Sequence, residues 1–144
     1  AGVVVSTRES AELRDQVIHI GASQISAGSR TDIGGYTRPD QQSSTSQFSL
    51  NDPRSLDEMI LAILKAGLLP SLCTACYRAG RTGERFRTKA EKGEIRDFCL
   101  TNALSSLTEY LKEHASDATQ KQFEISNLKF KIKQKGGDEN HCQW

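Results

Sequence analysis

The chain has 144 residues, of which 36% are hydrophobic and 6% aromatic. That suffices for one domain with a modest core, yet it is lean for a chain that must close that core alone. A formal net charge of +1 gives no field for nucleic acid or a membrane surface, and no apolar run approaches a membrane span.

Ala1-Gly2-Val3-Val4-Val5 lacks the basic leader and long apolar stretch of a secretion signal. The chain starts inside an apolar run, so further residues are expected upstream. Residues 2–6 predict a short buried strand, β-branched and continuous. Ser6 with Glu9 fits a capping box for the following helix, and Ser10 is a competing cap. Leu13, Val17 and Ile20 fall at helical spacing and predict a buried face, with Gly21 as the stop. Residues 22–28 predict a second strand.

Residues 29–49 are polar and rich in Ser, Thr, Gly and Gln, which predicts a loop. Asp52-Pro53 predicts a helix start with proline in its first turn, and Ser55 with Glu58 offers a capping box. Leu56, Ile60, Ile63 and Leu64 make the apolar face, Gly67 the stop, and residues 68–72 a third strand running into Cys73. Strands alternating with glycine-terminated helices predict a parallel sheet. Such units suit the last part of a (β/α)8 barrel, whose working groups sit at the C-terminal strand ends. Ser26 to Arg30 and Cys73 to Arg78 fall at such ends.

The second half is different. Residues 77–98 are basic and punctuated by glycine. Leu100, Leu104, Leu107 and Leu111 predict an amphipathic helix. A charged helix follows from about Ala118 to Lys133, with Phe123, Leu128 and Ile132 as its stripe. The tail after it is expected to be disordered.

Four cysteines are present: Cys73, Cys76, Cys99 and Cys142. Without a secretion signal a disulfide framework is not expected, and a C-x2-C pair points to metal or redox chemistry. Cys99 follows Cys76 after 22 intervening residues. Three thiolates would leave one iron of a cubane cluster open, and an open position implies chemistry. Arg78, Arg81 and Arg85 would favour thiolates and offset cluster charge. Two rival readings use the same cysteines: structural zinc with His141 or Cys142 as fourth ligand, and a thioredoxin-like pair that leaves Cys99 idle. His19 reads as a packing or edge residue, and His114 as a complement to a helix dipole. Gly28, Gly34 and Gly35 match no nucleotide fingerprint and read as turn glycines. Glu84, Glu91 and Glu94 interrupt the arginines, and few aromatics accompany them, which argues against nucleic acid.

The segment Cys73-Thr74-Ala75-Cys76-Tyr77-Arg78-Ala79-Gly80-Arg81-Thr82-Gly83-Glu84-Arg85-Phe86, with Cys99 at a C-x2-C-x22-C spacing, resembles the C-terminal signature of the tyrosine-cleaving maturases of FeFe-hydrogenases. Thr7-Arg8-Glu9-Ser10, Ser23 to Arg30, Asn102-Ala103-Leu104 and Glu109-Tyr110-Leu111 are similar to the same family. The barrel segment is shared with biotin- and thiamine-synthesis relatives, including the thiamine-pathway tyrosine lyase, and that lyase looks different at the cysteine segment.

The resemblance implies an α/β fold: the C-terminal portion of a (β/α)8 radical S-adenosylmethionine (SAM) barrel, followed by a mostly helical iron-sulfur-binding extension. Residues 1–72 would be the last strands and helices of the barrel, of the biotin and thiamine synthesis-associated type. Residues 73–134 would be the extension and 135–144 the tail. It implies an auxiliary 4Fe-4S cluster on Cys73, Cys76 and Cys99, carrying an additional iron linked through free cysteine. Arg78 and Arg81 would orient anionic intermediates beside it, while Gln24, Ser26, Ser29 and Arg30 would meet substrate or SAM. The family converts tyrosine to p-cresol and dehydroglycine, the source of carbon monoxide and cyanide for the hydrogenase H-cluster. Other hydrogenase maturation proteins are the implied partners, in a reducing, anaerobic cytoplasm or organelle matrix. The family's C-x3-C-x2-C motif, which holds a second 4Fe-4S cluster and SAM, does not occur in these 144 residues, so this chain alone is expected to be inactive.

Overall fold

The structure is a computed structural model that describes residues 3–32, 35–37, 49–72, 83–94 and 96–135. In chain order these form strand β1 (Val3–Val5), helix α1 (Ala11–Val17) with a 3-10 turn over Ile18–Ile20, and strand β2 (Ala22–Ile25). Helices α2 (Leu56–Lys65), α3 (Gly83–Glu91), α4 (Arg96–Glu113) and α5 (Asp117–Lys135) follow. The fold is α/β, and β1 and β2 pair in parallel, with Val3 opposite Ala22 and Val5 opposite Ile25. Among the described residues, no helix is long and apolar enough to cross a membrane.

Local signals decide where the helices begin. Ser10 is the cap of α1, its Oγ accepting from the Leu13 amide at 3.3 Å, while Ser6 and Glu9 form a turn ahead of it. Ser55 and Glu58 close a full capping box on α2. Proline 53 therefore lies before the cap, not in the first turn as the sequence predicts.

Gly67 ends α2 at φ +79°, a left-handed conformation that other residues adopt at a cost. The Gly67 amide donates to Leu64 O at 3.0 Å and the Leu68 amide to Ile63 O at 3.1 Å, a Schellman closure. That closure corrects the third strand expected over 68–72: those residues are not in a strand. Leu68 is tied back to its helix, Pro70 has no amide to give a ladder, and Leu69 packs into the core.

The core is built by Ile60, Leu64, Leu107, Tyr110 and Leu111, with Leu69, Ala115 and Phe123 packed against it. It joins α2 to α4 and α5, so the two halves of the chain share one apolar cluster. The buried stripe of α4 is Ala103, Leu107, Tyr110 and Leu111, whereas Leu100 and Leu104 face solvent. On α2, Met59, Ile60 and Leu64 are buried and Leu56 is not. The face expected of α1 is likewise open: Leu13 is 42% and Ile20 83% exposed, and Arg14 is the buried residue instead. What packs on α1 is the polar segment around Asp52, while the apolar stripe lines an open groove with Val3, Val4 and Val5.

Candidate functional site

Parallel pairing sets the C-terminal ends of β1 and β2 side by side. The Ser26 amide extends the ladder by donating to Val5 O at 3.0 Å. Segment 51–54 lies across these ends. The Asn51 and Asp52 amides donate to Thr7 O at 3.0 and 3.1 Å, Asn51 Nδ2 donates to Arg8 O at 2.6 Å, and the Gly28 amide donates to Arg54 O at 3.0 Å.

Beneath the backbone runs a charge network. Arg14 is fully buried, one guanidinium nitrogen donating to the Asp52 carboxylate and the other to Ser26 O. Arg54 completes it, donating to Asp52 Oδ2 at 2.6 Å and to Asp15 Oδ1 at 2.9 Å. Hydrogen bonds from Arg54 outweigh burial and hold the Asp52 carboxyl down at about 2. The partnership with Asp52 and Asp15 pushes the Arg54 pKa up. Sequence reasoning gave Asp52 a helix-start role and missed Arg14, Asp15 and Arg54. Charged positions on an amphipathic pattern read as solvent-facing, and no spacing rule links Arg14 to Asp52.

Of the four strand-end candidates, Ser26 joins this network through its carbonyl oxygen. Gln24 is exposed on β2, Ser26 and Ser29 are half-buried, and Arg30 is exposed. Hydrogen bonds hold the loop that carries Ser29 and Arg30: the Gly28 amide donates to Arg54 O at 3.0 Å and the Arg30 amide to the Tyr36 hydroxyl at 3.0 Å. Neither of the two described histidines is buried: His19 is exposed, and His114 closes α4 beside the Tyr110 ring at 5.9 Å between centroids.

Of the cysteine constellation, Cys99 is described. It is half-buried in the first turn of α4. It stands one turn before Ala103 and so continues the buried stripe of Ala103, Leu107 and Tyr110. Cys73, Cys76, Arg78, Arg81, His141 and Cys142 lie outside the described residues. Among those described, no group of three or more His, Cys, Asp or Glu could hold a metal. The donor chemistry does fit an iron-sulfur cluster: three thiols at C-x2-C-x22-C, the described one in the first turn of α4.

Residues 1–69 match the family described as the Biotin and Thiamin Synthesis associated domain. The 2-iminoacetate synthases of Escherichia coli (strain K12) and Salmonella typhimurium (strain LT2) are each 39% identical over 66 residues, 46% of this chain and 17% of theirs. The crystal structure of HydG, a maturase of the FeFe-hydrogenase, aligns with 100% of this chain and 34% of its own at a TM-score of 0.74 and 36% identity. The chain thus spans well under half of each relative. It resembles the C-terminal region of HydG and, over 66 residues, 2-iminoacetate synthase.

Proposed function

We propose that this chain is the C-terminal part of a radical SAM tyrosine lyase of the hydrogenase-maturation type, and that Cys73, Cys76 and Cys99 hold its auxiliary 4Fe-4S cluster. The observation that carries this reading is the extent of the two similarities. The match to 2-iminoacetate synthase takes in 46% of the chain, whereas the match to HydG takes in all of it, including the helices that carry and follow Cys99.

Residues 1–72 would close the C-terminal end of a (β/α)8 barrel, and residues 73–134 would form the cluster-bearing extension. With three thiolate ligands, the bound cluster supplies one iron whose remaining position is open to a small molecule. This chain's own residues have separable tasks. The Arg14–Asp52–Arg54 network fixes the strand ends, so that Gln24, Ser29 and Arg30 present polar groups to a tyrosine or SAM carboxylate. Arg78 and Arg81 would hold anionic intermediates by charge. Cys99 would bring the third thiolate from the first turn of α4. The complete enzyme would deliver carbon monoxide and cyanide from tyrosine to other maturation proteins, with free cysteine linking the additional iron.

Anaerobic reconstitution with iron and sulfide tests the reading. About four irons per chain are expected, falling sharply in Cys99→Ser and unchanged in Cys142→Ser. About one tightly held zinc, lost on changing Cys142 or His141, would replace it with a structural zinc module.

A further inference from the structure

Asp57 lies in the first turn of α2, yet its carboxylate is spent on the far half of the chain. Oδ1 accepts from the Tyr110 hydroxyl at 3.2 Å and from the Ser116 amide at 3.2 Å. Oδ2 accepts from Ser116 Oγ at 2.6 Å and from Thr119 Oγ1 at 3.0 Å. Tyr110 belongs to α4, Ser116 is the residue before α5, and Thr119 is in the first turn of α5. One carboxylate therefore grips both sides of the α4–α5 corner. Burial pushes its pKa up, but the hydrogen bonds from Ser116, Thr119 and Tyr110 outweigh that and hold it below the usual range.

A few residues upstream, Asn51, Asp52 and Arg54 grip the strand ends. Segment 51–58 is thus a staple with the strand ends in one jaw and the α4–α5 corner in the other. Apolar contacts among Leu64, Leu107 and Leu111 hold the helices together but have no preferred direction. Hydrogen bonds to an ionised carboxylate are directional and stronger than neutral ones. The Tyr110 bond fixes the rotation of α4, and Cys99 lies on the same stripe, roughly 16 Å along the helix at its rise per residue.

We infer that Asp57 is a positioning residue for Cys99: through Tyr110, Ser116 and Thr119 it sets the rotation and axial placement of the cysteine-bearing helix relative to the strand ends. The inference rests on the reading of Cys99 as a cluster ligand for its purpose, but not for its geometry.

The test uses the full chain in two forms. In the first, Cys73→Ser, Cys76→Ser and Cys142→Ser leave Cys99 as the sole thiol, and its alkylation rate is measured. Asp57→Asn replaces one acceptor oxygen with an amide donor that then faces donors, and Tyr110→Phe removes a single hydroxyl from an otherwise unchanged ring. Each is expected to speed alkylation about threefold to tenfold, with helix content by circular dichroism retained. Should Asp57→Asn lose helix, Tyr110→Phe decides, because its packing is conserved. In the second form, with all cysteines present and the cluster reconstituted, both variants should shift the g-values of the reduced cluster and release iron faster to a chelator. Wild-type alkylation rates in a folded Tyr110→Phe would overturn the positioning role. A wild type that takes up no cluster would overturn the proposed function instead, while the alkylation rates would still decide the role of Asp57.

Discussion

Arg14 and Asp52 are both shut off from solvent, and neither would survive there without the other. Removing one partner of such a pair leaves an uncompensated buried charge, so Asp52→Ala should cost about 3–5 kcal/mol in urea unfolding. Asp52 also predicts a pH dependence. Its folded pKa is lowered from 3.8 to about 2, so its contribution is fully present above the unfolded value and is lost as pH falls toward 2. The contribution is on the order of 2 kcal/mol at neutral pH. Wild type should lose stability steeply between about pH 5 and 2, and Asp52→Asn should show a flatter profile across that window. Parallel profiles would contradict the network. None of this was legible in the sequence. Arg14 sits between Leu13 and Val17, where the helical pattern assigns it to solvent, and its partner is 38 positions away.

Helix boundaries were the most legible elements, because caps are written locally. Ser55-x-x-Glu58 closes the capping box that its spacing predicts, and Ser55→Ala should cost about 1 kcal/mol with the loss read as lower helix content and a lower unfolding midpoint. Gly67 and Gly21 stop their elements as expected. Burial was less legible, since a stripe read from spacing says which residues share a face but not what meets that face. On α4 the leucine stripe is turned by about one position, because Ala103 and Tyr110 pack beside Leu107 and Leu111 while Leu100 and Leu104 do not. On 68–72 a strand-like composition lost to a Schellman closure and a proline. The helix that contains Cys99 was legible from its leucine spacing; the staple through Asp57 was not, because it joins residues 59 and 62 apart.

At the scale of the molecule, the described structure leaves apolar surface uncovered. Val3 is 54%, Val4 62% and Ile20 83% exposed, around a parallel sheet of a kind ordinarily covered on both faces. The chain should therefore bind an apolar fluorescent dye, and Val4→Lys with Ile20→Lys should reduce that signal without loss of helix. The core behaves differently. Leu107 is fully buried in the cluster that joins α2 to α4, so Leu107→Ala should cost about 2–5 kcal/mol and unfold both halves in one transition. Two separate transitions would show that the halves are independent.

The central claim is that three thiolates hold a cluster and leave one iron open. The most direct measurement is electron paramagnetic resonance of the reduced, reconstituted chain before and after addition of free cysteine or cyanide. A cubane signal whose g-values move on addition, in wild type and in Cys142→Ser alike, is the predicted result. A signal that ignores both additions in wild type but responds in Cys142→Ser would mean that Cys142 fills the fourth position, and would contradict the account.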